Sequence, residues 1–151
     1  MRTLTKKSTR KYTEHINHLF PFHGVGDINV ENTALSDIKA HLGTPEKDFL
    51  DERLNRIIDY PYLGLMFKFL KILNNNMKNP LVSFITVKKP FYADNTKSIY
   101  LGLDKEQVHA LMGNNQPKDV RNSYEIWEND DEKKMKFIYD KTNKLDMIII
   151  F

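Results

Sequence analysis

The residue types that do chemistry are present in this 151-residue chain, but few fall at spacings that chemistry uses. His15 and His18 lie three apart with His23 nearby, and positions i and i+3 share a helix face, as two metal ligands would. No third ligand follows at zinc spacing and there is no cysteine, so these read as surface histidines, and neither a metal nor a cofactor is expected. His41 and His109 have no Ser or carboxylate beside them in triad order. Carboxylates are plentiful, yet none forms a recognisable pair for acid–base work. Glu46, Asp48, Asp51 and Glu52 fit the solvated face of a short helical stretch over 46–54. The glycines of His23-Gly24-Val25-Gly26-Asp27 lack the third glycine and the Lys-Ser pair of a phosphate loop, and the segment reads as a plain turn. No catalytic residue is assigned, and the chain is not expected to be an enzyme.

A different kind of chemistry, recognition, suits Tyr124-Glu125-Ile126-Trp127-Glu128-Asn129-Asp130-Asp131-Glu132. The segment carries the single Trp beside five acids, on a strand leading into a turn. Aromatic anchors with charged neighbours are characteristic of protein–protein hot spots. Trp127 is therefore a candidate anchor, and Glu125, Glu128, Asp130 and Asp131 are candidates to steer a basic partner surface. The competing reading is that Trp127 fills the core and the acids solvate a loop. Tyr60, Tyr62, Phe67, Phe69, Phe84, Tyr124, Phe137 and Tyr139 exceed what one sheet face needs, so some are expected on an outer surface.

The elements that position these residues follow from periodicity and punctuation. Asp104 to Gly113 reads as a capped helix: Asp104 and Gln107 form a capping box, Val108, Leu111 and Met112 keep helical spacing, and Gly113 ends the turn. Ala34 to Gly43 has the same layout, with Thr33 as its cap. A first helix is expected over 8–20, capped by Ser8, with Tyr12, Ile16 and Leu19 on one face. Strands are expected over Leu63–Leu73, Leu81–Lys88, Tyr124 to Trp127, Met135–Tyr139 and Leu145–Phe151. The expected fold class is α+β: two similar helix-then-antiparallel-strand halves forming one sheet with helices on one face. Residues 1–29 form a basic N-terminal segment with a helix, 30–89 the first half and 90–151 the second, in one compact domain.

Bulk properties limit the alternatives. A 40% hydrophobic and 28% charged composition is that of a globular chain rather than a disordered one. The lack of cysteine excludes a disulfide framework and thiolate chemistry. No apolar run is long enough to span a membrane, and the N-terminus lacks a secretory apolar region, so a cytoplasmic location is expected. Of the net charge of +3, the first twelve residues supply Arg2, Lys6, Lys7, Arg10 and Lys11 with no acid. That tail could touch nucleic acid, but no aromatic platform accompanies it, and a solubilising terminus is the simpler reading.

The order of capped helix, Leu/Met-Gly, Pro, Tyr strand and apolar strands resembles tandem β-lactamase-inhibitor-protein-like modules. The resemblance covers residues 30–151 and is carried by Ile38, Leu42-Gly43, Pro45 and Phe67-Lys68-Phe69, answered by Val108, Met112-Gly113, Pro117 and Met135-Lys136-Phe137. Such modules in a cysteine-free chain of this size look like the immunity proteins that accompany bacterial toxins. The resemblance implies a cognate protein toxin as partner, neutralised by steric occlusion, with no catalysis. The alternatives are a small ligand-binding protein or enzyme with a pocket between sheet and helices, and a nucleic-acid-associated protein using the basic N-terminus.

Overall fold

One piece of turn chemistry recurs three times along the chain and sets most of its architecture. Asp51, Asn129 and Asp140 each accept, through Oδ1, from a backbone N–H two residues on and another four residues on, at 2.8–3.1 Å. The residue three positions after each, Leu54, Glu132 or Asn143, has φ of 64, 63 or 60°. Each turn is thus a three-residue loop ending in a left-handed residue, the geometry that joins twisted antiparallel strands. These turns make hairpins of 47–60, 124–139 and 134–150.

The computed structural model describes residues 16–93, 99–113 and 116–151. Strands β1 (Leu19–Phe20), β2 (Gly24–Val25) and β3 (Ile28–Asn29) form a small antiparallel sheet. The main sheet holds β4 (Lys47–Leu50), β5 (Arg56–Tyr60), β6 (Leu65–Phe69), β7 (Phe84–Lys88), β8 (Asp119–Val120), β9 (Tyr124–Glu128), β10 (Lys134–Tyr139) and β11 (Leu145–Ile150). Its order is β4-β5-β6-β7-β11-β10-β9-β8, antiparallel throughout, with β7 paired to β11 at the centre. The helices are α1 (Leu35–Leu42) and α2 (Lys105–Leu111).

Register separates the two faces of this sheet. Ile58, Phe67, Ile85, Ile150, Met135 and Trp127 are successive cross-strand partners, and all are buried. A second row, Tyr60, Leu65, Val87, Ile148, Phe137 and Glu125, runs beside it and is buried too. Leu35 and Ile38 of α1, Val108 of α2, and Leu19, Val25 and Ile28 of the small sheet complete the same core. Burying each such aliphatic or aromatic side chain is worth about 1.5–3 kcal/mol, which fixes the register, since a one-residue slip would turn both rows to water.

Several expectations are overturned. Among the described residues the fold is mainly β, an eight-stranded antiparallel sheet plus a three-stranded one with two short helices described in full, and not α+β with helix-then-strand halves. Segment 46–54 is no helix: Lys47–Leu50 is extended and the Asp51 turn reverses the chain. Its acids are hairpin residues, with Asp48 held by Arg56 at 2.8 Å and by Lys39 at 2.8 Å. His23–Asp27 is not a plain turn, since Gly24-Val25 is the middle strand of the small sheet, where a Cβ on Gly24 would fall onto the Ile28 backbone. The helix expected over 8–20 lies outside the described residues as far as 15; Ile16 is helical, but Leu19–Phe20 is a strand, so the helix stops short of 20. The strand expected over 63–73 is shortened to Leu65–Phe69, with a 3-10 turn at Lys71–Leu73.

The caps differ from each other. Gln107 Oε1 accepts from Asp104 N at 2.9 Å, completing the capping box of α2. At α1 the N-cap is Ala34, and Thr33 instead accepts from Asn29 N at 2.9 Å, tying β3 to the helix.

Candidate functional site

Strand β9 carries the recognition residues and divides them between the two faces. Glu125 and Trp127 alternate inward, 1% and 2% exposed, so neither presents a surface to a partner in this chain. Trp127 is a core residue and not a surface anchor. Tyr124, Ile126 and Glu128 alternate outward and stay half-buried. Glu128 pairs with Lys118 at 2.5 Å, and that cation holds its carboxyl below the usual glutamate range. Asp130 and Asp131 are exposed members of the Asn129 turn, where the Asp131 backbone N–H donates to Asn129 Oδ1 at 3.1 Å.

The inward Glu125 is the least expected residue of the core. His109 Nε2, from α2, lies 2.7 Å from Oε2 and 2.9 Å from Oε1, and Tyr139 Oη donates to Oε1 at 2.8 Å. A buried carboxylate is tolerable when its oxygens are satisfied in this way. The His109 ring also meets Trp127 edge-on, centroids 5.5 Å apart. Burial first, and then the bond to Glu125, pushes the Tyr139 phenol well above the ordinary tyrosine value. A cavity of about 420 Å³ opens beside His109, lined also by Asp104, Lys105, Glu106 and Asn143. A carboxylate-oriented imidazole is the arrangement a general base requires, but no hydroxyl or thiol nucleophile lines this cavity.

The outward face of the main sheet is larger and of another character. Cross-strand partners Asp59, Met66, Thr86, Ile149, Lys136, Ile126 and Asp119 form one row. Phe49, Ile57, Lys68 and Phe84 form the row beside it, and Phe84 stacks on Phe151 with centroids 5.2 Å apart. Lys88, Met147, Ile138 and Tyr124 form a third row. Most of these side chains are half-buried by one another and remain partly open to solvent. Lysines lie across the aromatics: Lys136 Nζ is 4.1 Å from the Tyr124 ring centre, and Lys68 and Lys134 are 5.9 Å from Phe84 and Phe151. Lys47 and Lys88 lie on the same face, as do Asp51, Asp59, Asp119 and Glu128; Lys88 pairs with Asp59 at 3.6 Å and Lys68 with Asp51 at 3.5 Å, which leaves Lys136 and Lys134 against the aromatics.

A second cavity, of about 550 Å³, lies where α1 ends against the β5–β6 turn. Leu42, Tyr60, Pro61, Tyr62 and Leu63 give it apolar walls, with His41, Thr44 and Glu46 as its polar groups. Tyr60 Oη donates to Gly43 O at 2.8 Å, and burial pushes its phenol up to about 12. Among the described residues, no cluster of three His, Asp or Glu could hold a metal ion, and no helix is long and apolar enough to cross a membrane. The basic N-terminal tail lies outside the described residues.

Two interleaved signals explain what periodicity missed. Both phases of Tyr124-Glu125-Ile126-Trp127-Glu128 contain apolar residues, so alternation alone does not say which phase is inward. The partners that make Glu125 an inward residue, His109 and Tyr139, come from 16 and 14 residues away.

The fold and its faces define a mainly-β protein organised on one wide antiparallel sheet with a core face and an open face. No protein-family model matches the chain, and no curated protein does. Among solved structures it is similar to the crystal structure of a DUF4309 family protein (YjgB) from Bacillus subtilis subsp. subtilis str. 168. The TM-score is 0.53 at 12% identity, over 96% of this chain and 98% of that one. At that identity the likeness is one of fold.

Proposed function

We propose that the protein is a non-catalytic binding protein that holds a protein partner against the open face of its main sheet. Its cognate partner would be a bacterial toxin, neutralised in the cytoplasm by occlusion of the toxin's working surface. The observation behind this reading is the open face itself: three adjoining rows in which partly exposed aromatic, Met and Ile side chains alternate with lysines across the sheet. Contiguous apolar surface of this kind is what soluble proteins reserve for interaction. The lysines laid over its aromatics favour a partner surface bearing carboxylates, the reverse of the steering expected from Glu125, Glu128, Asp130 and Asp131. The toxin identity rests on the module resemblance alone.

The test begins with capture of partners by the tagged full chain from a lysate of its source cell. A stoichiometric partner that arrests growth when expressed alone, and is relieved by this chain, is the expected result. Absence of any stoichiometric protein partner would remove the reading. With a partner in hand, Ile126→Asp combined with Lys136→Glu should weaken binding about 100-fold, as loss of hot-spot contacts does. Reversal of Asp130 and Asp131 should change it far less.

The cavity of about 550 Å³ beside Tyr60 and Leu42 favours a second reading, a small apolar ligand held between α1 and the sheet. Tyr62→Ala would weaken that binding and leave partner capture by the open face intact.

A further inference from the structure

Apart from whatever the open face binds, the edge of the main sheet is built to pair. Strand β4 is a terminal strand, and all four of its residues are exposed, with Phe49 at 47% and Leu50 at 58%. Native sheets usually shorten or cover such an edge. The opposite edge follows that practice, since β8 is only Asp119–Val120 and comes two residues after Pro117. β4 does not.

The ladder shows which backbone groups of β4 are available. Asp51 N donates to Asn55 O at 2.9 Å, so Asp51 and Asn55 are a hydrogen-bonded pair. Alternation makes Phe49 and Ile57 the next such pair, while Asp48 and Leu50 turn their N–H and C=O groups away from β5. Two outward residues, two positions apart, can satisfy each other on a second copy of the same strand in one antiparallel register. Asp48 then faces Leu50 of the second copy, Leu50 faces its Asp48, and Phe49 lies at the centre opposite itself. Shifting by two residues in either direction leaves one of the outward residues without a strand residue opposite. Shifting by one sets outward groups against groups already used.

The side chains agree with this register. Lys47 and Asp51 both lie on the open-face side, as their neighbours Asp59 (the cross-strand partner of Lys47) and Lys68 (3.5 Å from Asp51) show. Pairing centred on Phe49 sets Lys47 opposite Asp51 of the second copy, twice over. Opposite charges and aromatic pairs facing one another across strands each stabilise a ladder by about 0.2–1 kcal/mol. On the other face Asp48 remains engaged by Arg56 and Lys39.

We propose that two copies of this chain associate through antiparallel β4–β4 pairing centred on Phe49, joining their main sheets into one continuous sheet. The contact is two-fold and closes on itself, so it yields a dimer and not a filament.

The chain contains no cysteine, which makes single-cysteine variants unambiguous. At a non-hydrogen-bonded pair the facing Cβ atoms come within reach of a disulfide, so Phe49→Cys should cross-link to its copy under mild oxidation. Asp48→Cys and Leu50→Cys lie diagonally, about 7–8 Å from their own counterparts, and should cross-link at least about tenfold more slowly. Sedimentation of the unmodified full chain across the micromolar range should show a monomer–dimer equilibrium. Leu50→Pro removes an outward N–H that β5 does not use, and should give a monomer with an unchanged circular-dichroism spectrum. A chain that stays monomeric throughout, equal cross-linking at all three positions, or a dimer that survives Leu50→Pro would each overturn the proposal.

Discussion

His109 Nε2 sits 2.7 Å from Glu125 Oε2, joining a half-exposed side chain of α2 to a carboxylate that is 1% exposed. The pair closes one end of the core, and its inner member depends on its outer one. Removing the imidazole leaves the carboxylate in the core with Tyr139 as its hydrogen-bonding side chain. His109→Ala should therefore cost about 1–3 kcal/mol in a urea titration, the range for a buried hydrogen-bonding group left without its partner. The double variant with Glu125→Ala should lose at least about 1 kcal/mol less than the sum of the singles. Strict additivity would mean that the two residues are not coupled.

Neighbouring residues of β6 test the division of the sheet into faces. Phe67 is fully buried and lies in the central core row, whereas Met66 belongs to the open face. Phe67→Ala should cost about 3–5 kcal/mol, by lost burial and the cavity left behind. Met66→Ala should cost about 1 kcal/mol or less, because its side chain is only partly withdrawn from water. Equal losses in thermal or chemical unfolding would contradict this assignment of faces.

Asp48 should give the acid limb of stability a measurable component. Hydrogen bonds from Arg56, with Lys39 second, hold its pKa down from the ordinary 3.8 to about 2. A carboxyl whose folded pKa is depressed stabilises the fold above its unfolded value and loses that contribution as pH falls from 3.8 through about 2. Allowing for solvent screening, the contribution is about 1 kcal/mol. Asp48→Asn should lower stability by that amount near neutral pH and match the wild type at the acid end. A constant difference across the whole range would assign the loss to something other than this charge.

Leu54 offers a gain. It holds φ at 64° at the end of the Asp51 turn, a conformation that costs a residue with a Cβ about 1–2 kcal/mol. Its side chain is half-exposed and contributes little burial. Leu54→Gly should raise the unfolding free energy by about 0.5–1 kcal/mol, the strain relieved less the extra entropy of the unfolded glycine. A loss on substitution would show that the Leu54 side chain packs more than it strains.

The legible parts of the fold are those decided locally. The capping box of α2, the outline of strands 124–128, 134–139 and 145–150, and the turn after Tyr139 are readable because neighbouring residues carry the whole signal. Segment 46–54 misleads because its alternating charges fit a helix as well as a hairpin. What decides the matter is Asp51, whose side chain captures the backbone of Arg53 and Asn55. Trp127 and Glu125 mislead for another reason. A Glu beside a Trp looks like surface chemistry until a histidine and a tyrosine from elsewhere are seen to neutralise its burial. In the sequence the open face shows only as an excess of aromatics, since the side on which each one falls is set by register, a long-range property.

The pairing of β7 with β11 has a kinetic consequence. Residues 84–88 find their second neighbour in residues 145–150, so the centre of the sheet cannot close until the chain has been synthesised past residue 150. Until then the strands through β7 carry an unpaired inner edge, with Ile85 and Val87 lacking their cover from Ile150 and Ile148. Long-range pairing of this kind slows folding and prolongs the exposure of sticky edges. The nascent chain is thus at its most aggregation-prone just before β11 arrives, and that is the interval in which a chaperone would matter most.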